Sequence, residues 1–168
     1  KHGELENKDS IKLPDSLKFK TGNGRTVYGG GGIMPDVFVP FDTNKSTSYS
    51  LKIINKGLLS DYVLDFLETN RQHLKSKYSS FEMFNDGFDT RQKMLNGLIS
   101  YSQKNGVVKD NKSFELSADW LCLQMKAQMA RQLYTNTDFW KIINKKDNTF
   151  TSAIEIINSN KLNAILTK

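Results

Sequence analysis

Few residues in this sequence are of types that could do chemistry. Cys122 is the single cysteine, and His2 and His73 are the two histidines, so no Cys/His cluster has the spacing of zinc ligands. A cysteine nucleophile needs a neighbour that stabilises its thiolate, most often a histidine. Cys122 lies between two leucines in a strongly helical stretch, whereas His73 lies in another predicted helix among polar residues. We predict a buried, inert thiol, exposed histidines, and no catalytic, metal-binding or cofactor-binding residue.

The four consecutive glycines from Gly29 to Gly32 could cradle a phosphate through their backbone N–H groups. A phosphate loop needs Lys followed by Ser or Thr after its last glycine, and a dinucleotide fingerprint needs a helix to begin there. Here the run continues into Ile33, Met34 and Pro35. We therefore expect the glycines to occupy backbone positions that no side chain would allow. Asp36 could accept hydrogen bonds from this run more readily than act as a base without a partner.

Aromatic residues in the second half could line a ligand pocket: Trp120, Tyr134, Phe139 and Trp140. Aromatic residues at helical spacing more often belong to the hydrophobic core, because they bury large apolar areas. We predict that these four are core residues.

The net charge of +6 is spread evenly along the chain. The densest cationic run is Lys141 with Lys145 and Lys146, and Asp147 follows it at once. A nucleic-acid binder usually gathers its Lys and Arg on one face, because phosphate neutralisation supplies the affinity. The sequence therefore favours a solvated basic surface over nucleic-acid binding. No apolar run approaches the roughly 18 residues that span a bilayer.

The composition changes near residue 45, which divides the chain into a β/loop segment, 1–44, and a helical domain, 45–168. All three prolines and seven of the eleven glycines lie before this point. The predicted fold class is mainly α, a helical bundle of about five helices preceded by a short β/loop segment (α+β overall). The predicted strands are Ser16–Lys20, Arg25–Tyr28 and Asp36–Val39, with a tight turn at Asn23–Gly24 between the first two.

The apolar periodicity after residue 45 predicts the helices. They are Ser46–Asn55, Leu58–Lys75, a helix from Asp89 to Gly106 with Gln92 at the capping-box position, Phe114–Tyr134, a short helix capped by Thr137 or Asp138, and Thr149–Asn158. The strongest, Phe114–Tyr134, has a predicted core stripe of Leu116, Trp120, Leu123, Ala127, Ala130 and Tyr134. The strands are too few and too short to make a stable sheet alone, which suggests that they pair with strands outside this chain.

The stretch 24–40 resembles the segment that follows the catalytic core in C-terminal processing (tail-specific) peptidases, the serine peptidases of family S41. The residues that carry the resemblance are Gly24, Arg25, Gly29, Gly30, Gly31, Gly32, Ile33, Pro35 and Asp36. The preceding stretch 13–19 and the helical tail resemble a long-tailed bacterial branch of that family.

The resemblance implies a Ser nucleophile and a Lys general base in short motifs that precede this segment. Neither motif occurs here, and Ser117-Ala118 is followed by Asp119 rather than Glu or Ser. The chain begins at Lys1 without Met, so we expect the dyad to lie before it, and no catalytic residue is carried over. The same resemblance implies that 1–44 completes the sheet of the missing peptidase core.

Two functions remain open at this point. The first is a non-catalytic C-terminal domain of an S41-type serine endopeptidase of the bacterial cell envelope or periplasm, packing on the core and aiding substrate access or assembly. Its partners would be the core of the same polypeptide and the parent's protein or peptide substrates. The second is a stand-alone helical module that recognises another protein through Phe139 and Trp140. In either case the unpaired strand edges could pair with another copy.

Overall fold

The computed structural model describes residues 14–22, 24, 26–30, 35–42, 47–159 and 161–166. Within these ranges two short strands precede eight α-helices, which confirms the predicted fold class. The chain divides into two units. One comprises Lys1–Asp42 together with Asn148–Lys168, and the other is Thr43–Asp147.

The first unit contains a β-hairpin. A 3-10 turn, Asp15–Leu17, leads into strand β1 (Lys18–Lys20), which pairs antiparallel with β2 (Thr26–Tyr28), placing Phe19 opposite Val27. At the turn, Gly24 has φ +80° and donates its N–H to the Thr21 carbonyl oxygen at 2.8 Å. The predicted hairpin is confirmed in the residues described; Asn23 lies outside them.

The predicted third strand, Asp36–Val39, is wrong, because residues 35–42 contain no strand. Pro35 and Pro40 flank this stretch and have no N–H to donate to a ladder. Within the described part of the chain, β1 and β2 pair only with each other, so the stretch has no neighbouring strand to hold it extended.

The second unit consists of six helices. They are α1 (Ser48–Asn55), α2 (Leu58–Lys77), α3 (Phe81–Gly87), α4 (Thr90–Lys104), α5 (Asn111–Leu133) and α6 (Asn136–Asn144). The first unit adds α7 (Asn148–Asn158) and α8 (Lys161–Leu166). The sequence did not predict α3 or α8, since each is too short to show a helical period.

Side-chain caps set the starts of five of the six helices described in the second unit; α2, which follows Gly57, is the exception. A polar side chain at the N-cap accepts a hydrogen bond from the backbone N–H three residues on. The capping residues are Thr47, Ser80, Asp89, Asp110 and Thr135. The predicted cap at Asp89 is confirmed, and the prediction of Thr137 or Asp138 for α6 is wrong.

Helix α5 lies at the centre of the second unit, packed against α1, α2, α3, α4 and α6. Its predicted stripe is partly wrong: Leu116 is exposed, whereas Phe114, Ala118, Leu121 and Met125 are buried. A helix surrounded on several sides buries more than one face, so its apolar residues do not form a single stripe. The other core residues come mainly from α2 and α4, and α3 adds Phe84.

Candidate interaction surface

The start of α6 is fixed by a reciprocal pair of hydrogen bonds. Thr135 Oγ1 accepts from the Asp138 N–H at 3.3 Å and donates to Asp138 Oδ2 at 2.7 Å. Lys141 Nζ donates to the other carboxylate oxygen of Asp138 at 2.8 Å. Asp138 is buried, so both oxygens of its carboxylate are satisfied inside the protein.

These contacts keep Asp138 ionised. Burial by itself raises the pKa of Asp138, because it disfavours the charged form. The hydrogen bonds from Lys141 and Thr135 outweigh burial, and the net pKa lies below the ordinary range of a carboxyl group. The same hydrogen bond raises the pKa of Lys141. The ionised carboxylate of Asp138 therefore stabilises the first turn of α6.

Next to this pair, three side chains form what we call the Arg131–Trp140 face: Arg131, Phe139 and Trp140. The Arg131 guanidinium lies over the Phe139 ring, 3.9 Å from the ring centroid. The Phe139 and Trp140 rings meet edge to face, with centroids 5.0 Å apart and planes at 89°. Helix α6 supplies the two rings, and the last turn of α5 supplies the cation.

The prediction that the four aromatic residues are core residues is wrong for Trp140, whose side chain is 49% exposed. Trp120, Tyr134 and Phe139 are partly buried against the core. Tyr134 Oη donates to the Tyr78 carbonyl oxygen at 2.7 Å. Arg131 was not predicted, because it lies on α5 and Phe139 on α6, and no helical spacing relates residues on two different helices.

The single thiol, that of Cys122, lies in the middle of α5. Cys122 is half-buried against the core rather than fully buried, and burial raises its pKa to about 11. The charge of Arg91 lowers this pKa, but by less. His73 is exposed, as predicted, and His2 lies outside the described residues.

Ser117 is buried inside α5, and its hydroxyl donates a hydrogen bond to the Ser113 carbonyl oxygen at 2.8 Å. This bond ties the hydroxyl to its own helix. Ser117 and Ala118 are therefore part of the packing of α5, whereas Asp119 is exposed.

Two glycines of the 24–40 stretch lie against the hairpin. A Cβ on Gly29 would meet Phe19 Cε2 at 3.1 Å, and one on Gly30, which has φ +89°, would meet Leu17 Cδ1 at 2.7 Å. Either side chain would have to displace its neighbour. Of the other motif residues, Gly24, Pro35 and Asp36 are exposed, and the rest lie outside the described residues: Arg25, Gly31, Gly32 and Ile33. The glycine run to which Asp36 was predicted to bond includes Gly31 and Gly32, which lie outside the described residues, so this bonding stays a prediction.

Among residues 14–166, outside the gaps given above, no group of three or more His, Cys, Asp and Glu side chains is placed to hold a metal ion. None of the described helices is both long enough and apolar enough to cross a lipid bilayer.

The fold and this surface define a mainly helical protein with a short β-hairpin and an exposed aromatic and cationic helix end. The chain belongs to DUF8443, a family of unknown function, whose model matches residues 49–135. The match covers α1 to α5 and ends at the capping residue of α6. No curated protein and no solved structure matches the chain.

Proposed function

We propose that this chain is the non-catalytic C-terminal region of an S41-type serine endopeptidase of the bacterial cell envelope, with its helices packing on the peptidase core. The β1–β2 hairpin is the observation that carries the proposal. Phe19 and Val27 form a cross-strand pair whose side chains are 56% and 39% exposed. Aromatic and β-branched residues paired in this way are typical of a sheet face that packs against another layer. Two strands of three residues bury too little to be stable alone, so the hairpin is well suited to join a larger sheet.

The glycines support the same assignment. Gly29 and Gly30 follow β2 directly and lie against Phe19 and Leu17, so the conformation of the hairpin depends on residues of the motif that resembles family S41. Gly29 and Gly30 therefore pack with the hairpin as one structural piece. A sheet corner at the edge of a peptidase core accounts for both.

A peptidase assay tests the non-catalytic part of this proposal. The purified 168-residue chain is incubated with a reduced, unfolded protein, with and without a serine-directed inhibitor. We expect no cleavage above the buffer control, because the resemblance puts the Ser/Lys dyad outside this chain. Cleavage that the inhibitor abolishes, and that co-purifies with the chain, would contradict the proposal.

A stand-alone interaction module is the second candidate, and the Arg131–Trp140 face favours it. A half-exposed Trp beside a stacked Arg is common at protein–protein interfaces, where these two residue types often supply much of the binding energy. The two candidates differ in whether a peptidase core precedes this chain in the same polypeptide.

A further inference from the structure

We propose that the Arg131–Trp140 face binds an acidic peptide segment of another protein, one in which an Asp or Glu lies beside a large apolar side chain. This inference specifies the partner chemistry of the second candidate function. It holds whether or not the chain is part of a peptidase, so its failure and the failure of the peptidase proposal are separate results.

The first step of the argument is the state of Arg131. Its guanidinium is held 3.9 Å from the Phe139 ring centroid, and it has no hydrogen bond or ion pair with any residue in the described part of the chain. A guanidinium carries five N–H donors in a planar arrangement that matches the two oxygens of a carboxylate. Because the ring already fixes the group, a bound carboxylate would cost little further side-chain ordering.

The second step is the apolar surface beside this cation. Trp140 lies edge to face with Phe139, and about half of its side chain is exposed. A rigid aromatic ring offers a large contact area with few rotatable bonds. A Leu, Phe or Trp next to the bound carboxylate would cover this area.

The third step is charge complementarity. Residues 127–146 contain four cations and one acid: Arg131, Lys141, Lys145, Lys146 and Asp138. Asp138 is buried and bonded to Lys141, so it leaves no exposed carboxylate in this segment. Glu82 of α3 also acts on this region, and its charge raises the pKa of Lys141, which Asp138 already pairs. Glu82 is itself exposed, but every exposed charged side chain within residues 127–146 is a cation, and this cationic segment complements an acidic partner.

A nucleic acid would also carry the opposite charge, but the face fits it less well. A nucleic-acid binder usually gathers many Lys and Arg on one face, because each neutralised phosphate adds to the affinity, whereas this segment offers four cations. Lys141 is bonded to Asp138, which reduces the set further.

The test begins with a random-peptide display library selected against the full chain, followed by calorimetry on the most enriched peptide. We expect enriched peptides to carry Asp or Glu next to Leu, Phe or Trp. Arg131→Gln and Trp140→Ala should each weaken binding by about tenfold or more, since a charge-assisted pair or a central aromatic contact contributes at least that factor. Arg131→Lys keeps the charge but loses the planar donor set, so it should lose most of the same affinity.

Two control variants match these changes elsewhere on the second unit. Lys93→Gln removes an exposed charge from α4, and Leu64→Ala removes a side chain of α2 that is 48% exposed. Both should bind the peptide within about twofold of the original chain, and circular dichroism should show all variants folded. The proposal is overturned if no acidic peptide is enriched, if Arg131→Gln binds normally, or if Arg131→Lys retains full affinity. Tighter binding of a single-stranded oligonucleotide, with steep salt dependence, would assign the face to nucleic acid instead.

Discussion

Both carboxylate oxygens of Asp138 accept hydrogen bonds from neighbouring side chains. It is buried, caps its own helix together with Thr135, and pairs with Lys141. A buried carboxylate without partners would be strongly destabilising. The three polar side chains therefore stabilise α6 only as a set, and α6 in turn carries two of the three residues of the Arg131–Trp140 face.

We expect Asp138→Asn to destabilise the fold by about 1 kcal/mol near neutral pH, since it removes hydrogen bonds to a charged group. The folded-state pKa of Asp138 is lowered, so the ionised carboxylate stabilises the fold above about pH 4, and this contribution is lost as the pH falls through the folded-state pKa. The difference between the original chain and the variant should therefore shrink as the pH falls from 6 toward 2. Urea unfolding of both chains at several pH values measures this difference in the free energy of unfolding.

Asp119→Asn is the matched control for this prediction. Asp119 pairs with Arg91 at 2.5 Å, but its side chain is 93% exposed. Exposed ion pairs contribute little to stability, so Asp119→Asn should change the free energy of unfolding by less than about 0.5 kcal/mol at any pH. If Asp138→Asn were as strongly destabilised at pH 2 as at pH 6, the ionised carboxylate of Asp138 would not be what stabilises the fold.

At the scale of the elements, the contact between α2 and α4 depends on a glycine. Tyr62 Oη donates to the Met94 carbonyl oxygen at 3.1 Å, and a Cβ on Gly97 would lie 2.9 Å from Tyr62 Cζ. The absence of a side chain at Gly97 is what allows the Tyr62 ring to lie against α4. The sequence shows Gly97 only as a poor helix former inside a helix.

Gly97→Ala should therefore destabilise the fold by about 1–3 kcal/mol through overpacking, although Gly→Ala in an unobstructed helix stabilises by about 1 kcal/mol. In the Tyr62→Phe background, Gly97→Ala should lower the free energy of unfolding by less, because the hydroxyl that the new Cβ would meet is absent. Thermal or urea unfolding of the original chain, the two single variants and the double variant measures the coupling energy between Tyr62 and Gly97. Equal costs in both backgrounds, or a more stable Gly97→Ala chain, would show that the two helices do not meet as described.

No residue of the strands of the β1–β2 hairpin is fully buried. We expect its amides, Lys18–Lys20 and Thr26–Tyr28, to exchange rapidly with solvent in dilute samples of the chain. If the strand edges pair with a second copy, protection should instead rise with protein concentration. Hydrogen exchange read by NMR at two concentrations distinguishes these cases. Uniformly slow exchange at these positions in a monomer would contradict the proposal that the hairpin lacks its sheet.

At the scale of the whole molecule, the fold was largely predictable because its helices carry long apolar periods and clear caps, as at Asp89. The N-terminus of α6 was misplaced because Thr135, Thr137 and Asp138 are all good capping residues, and only packing selects among them. The α5 stripe was partly wrong because a central helix buries several faces. The exposed Trp140 could not be predicted, since the periodicity of a short helix does not show which face lacks a neighbour.

We propose that the chain is a helical module with a hairpin that completes a peptidase sheet. The coding sequence immediately upstream of Lys1 tests this proposal most directly. We predict one uninterrupted reading frame that encodes a serine peptidase core, with the Ser nucleophile and the Lys base in motifs before the hairpin. A start codon shortly before Lys1, or an upstream frame that encodes an unrelated domain, would contradict it.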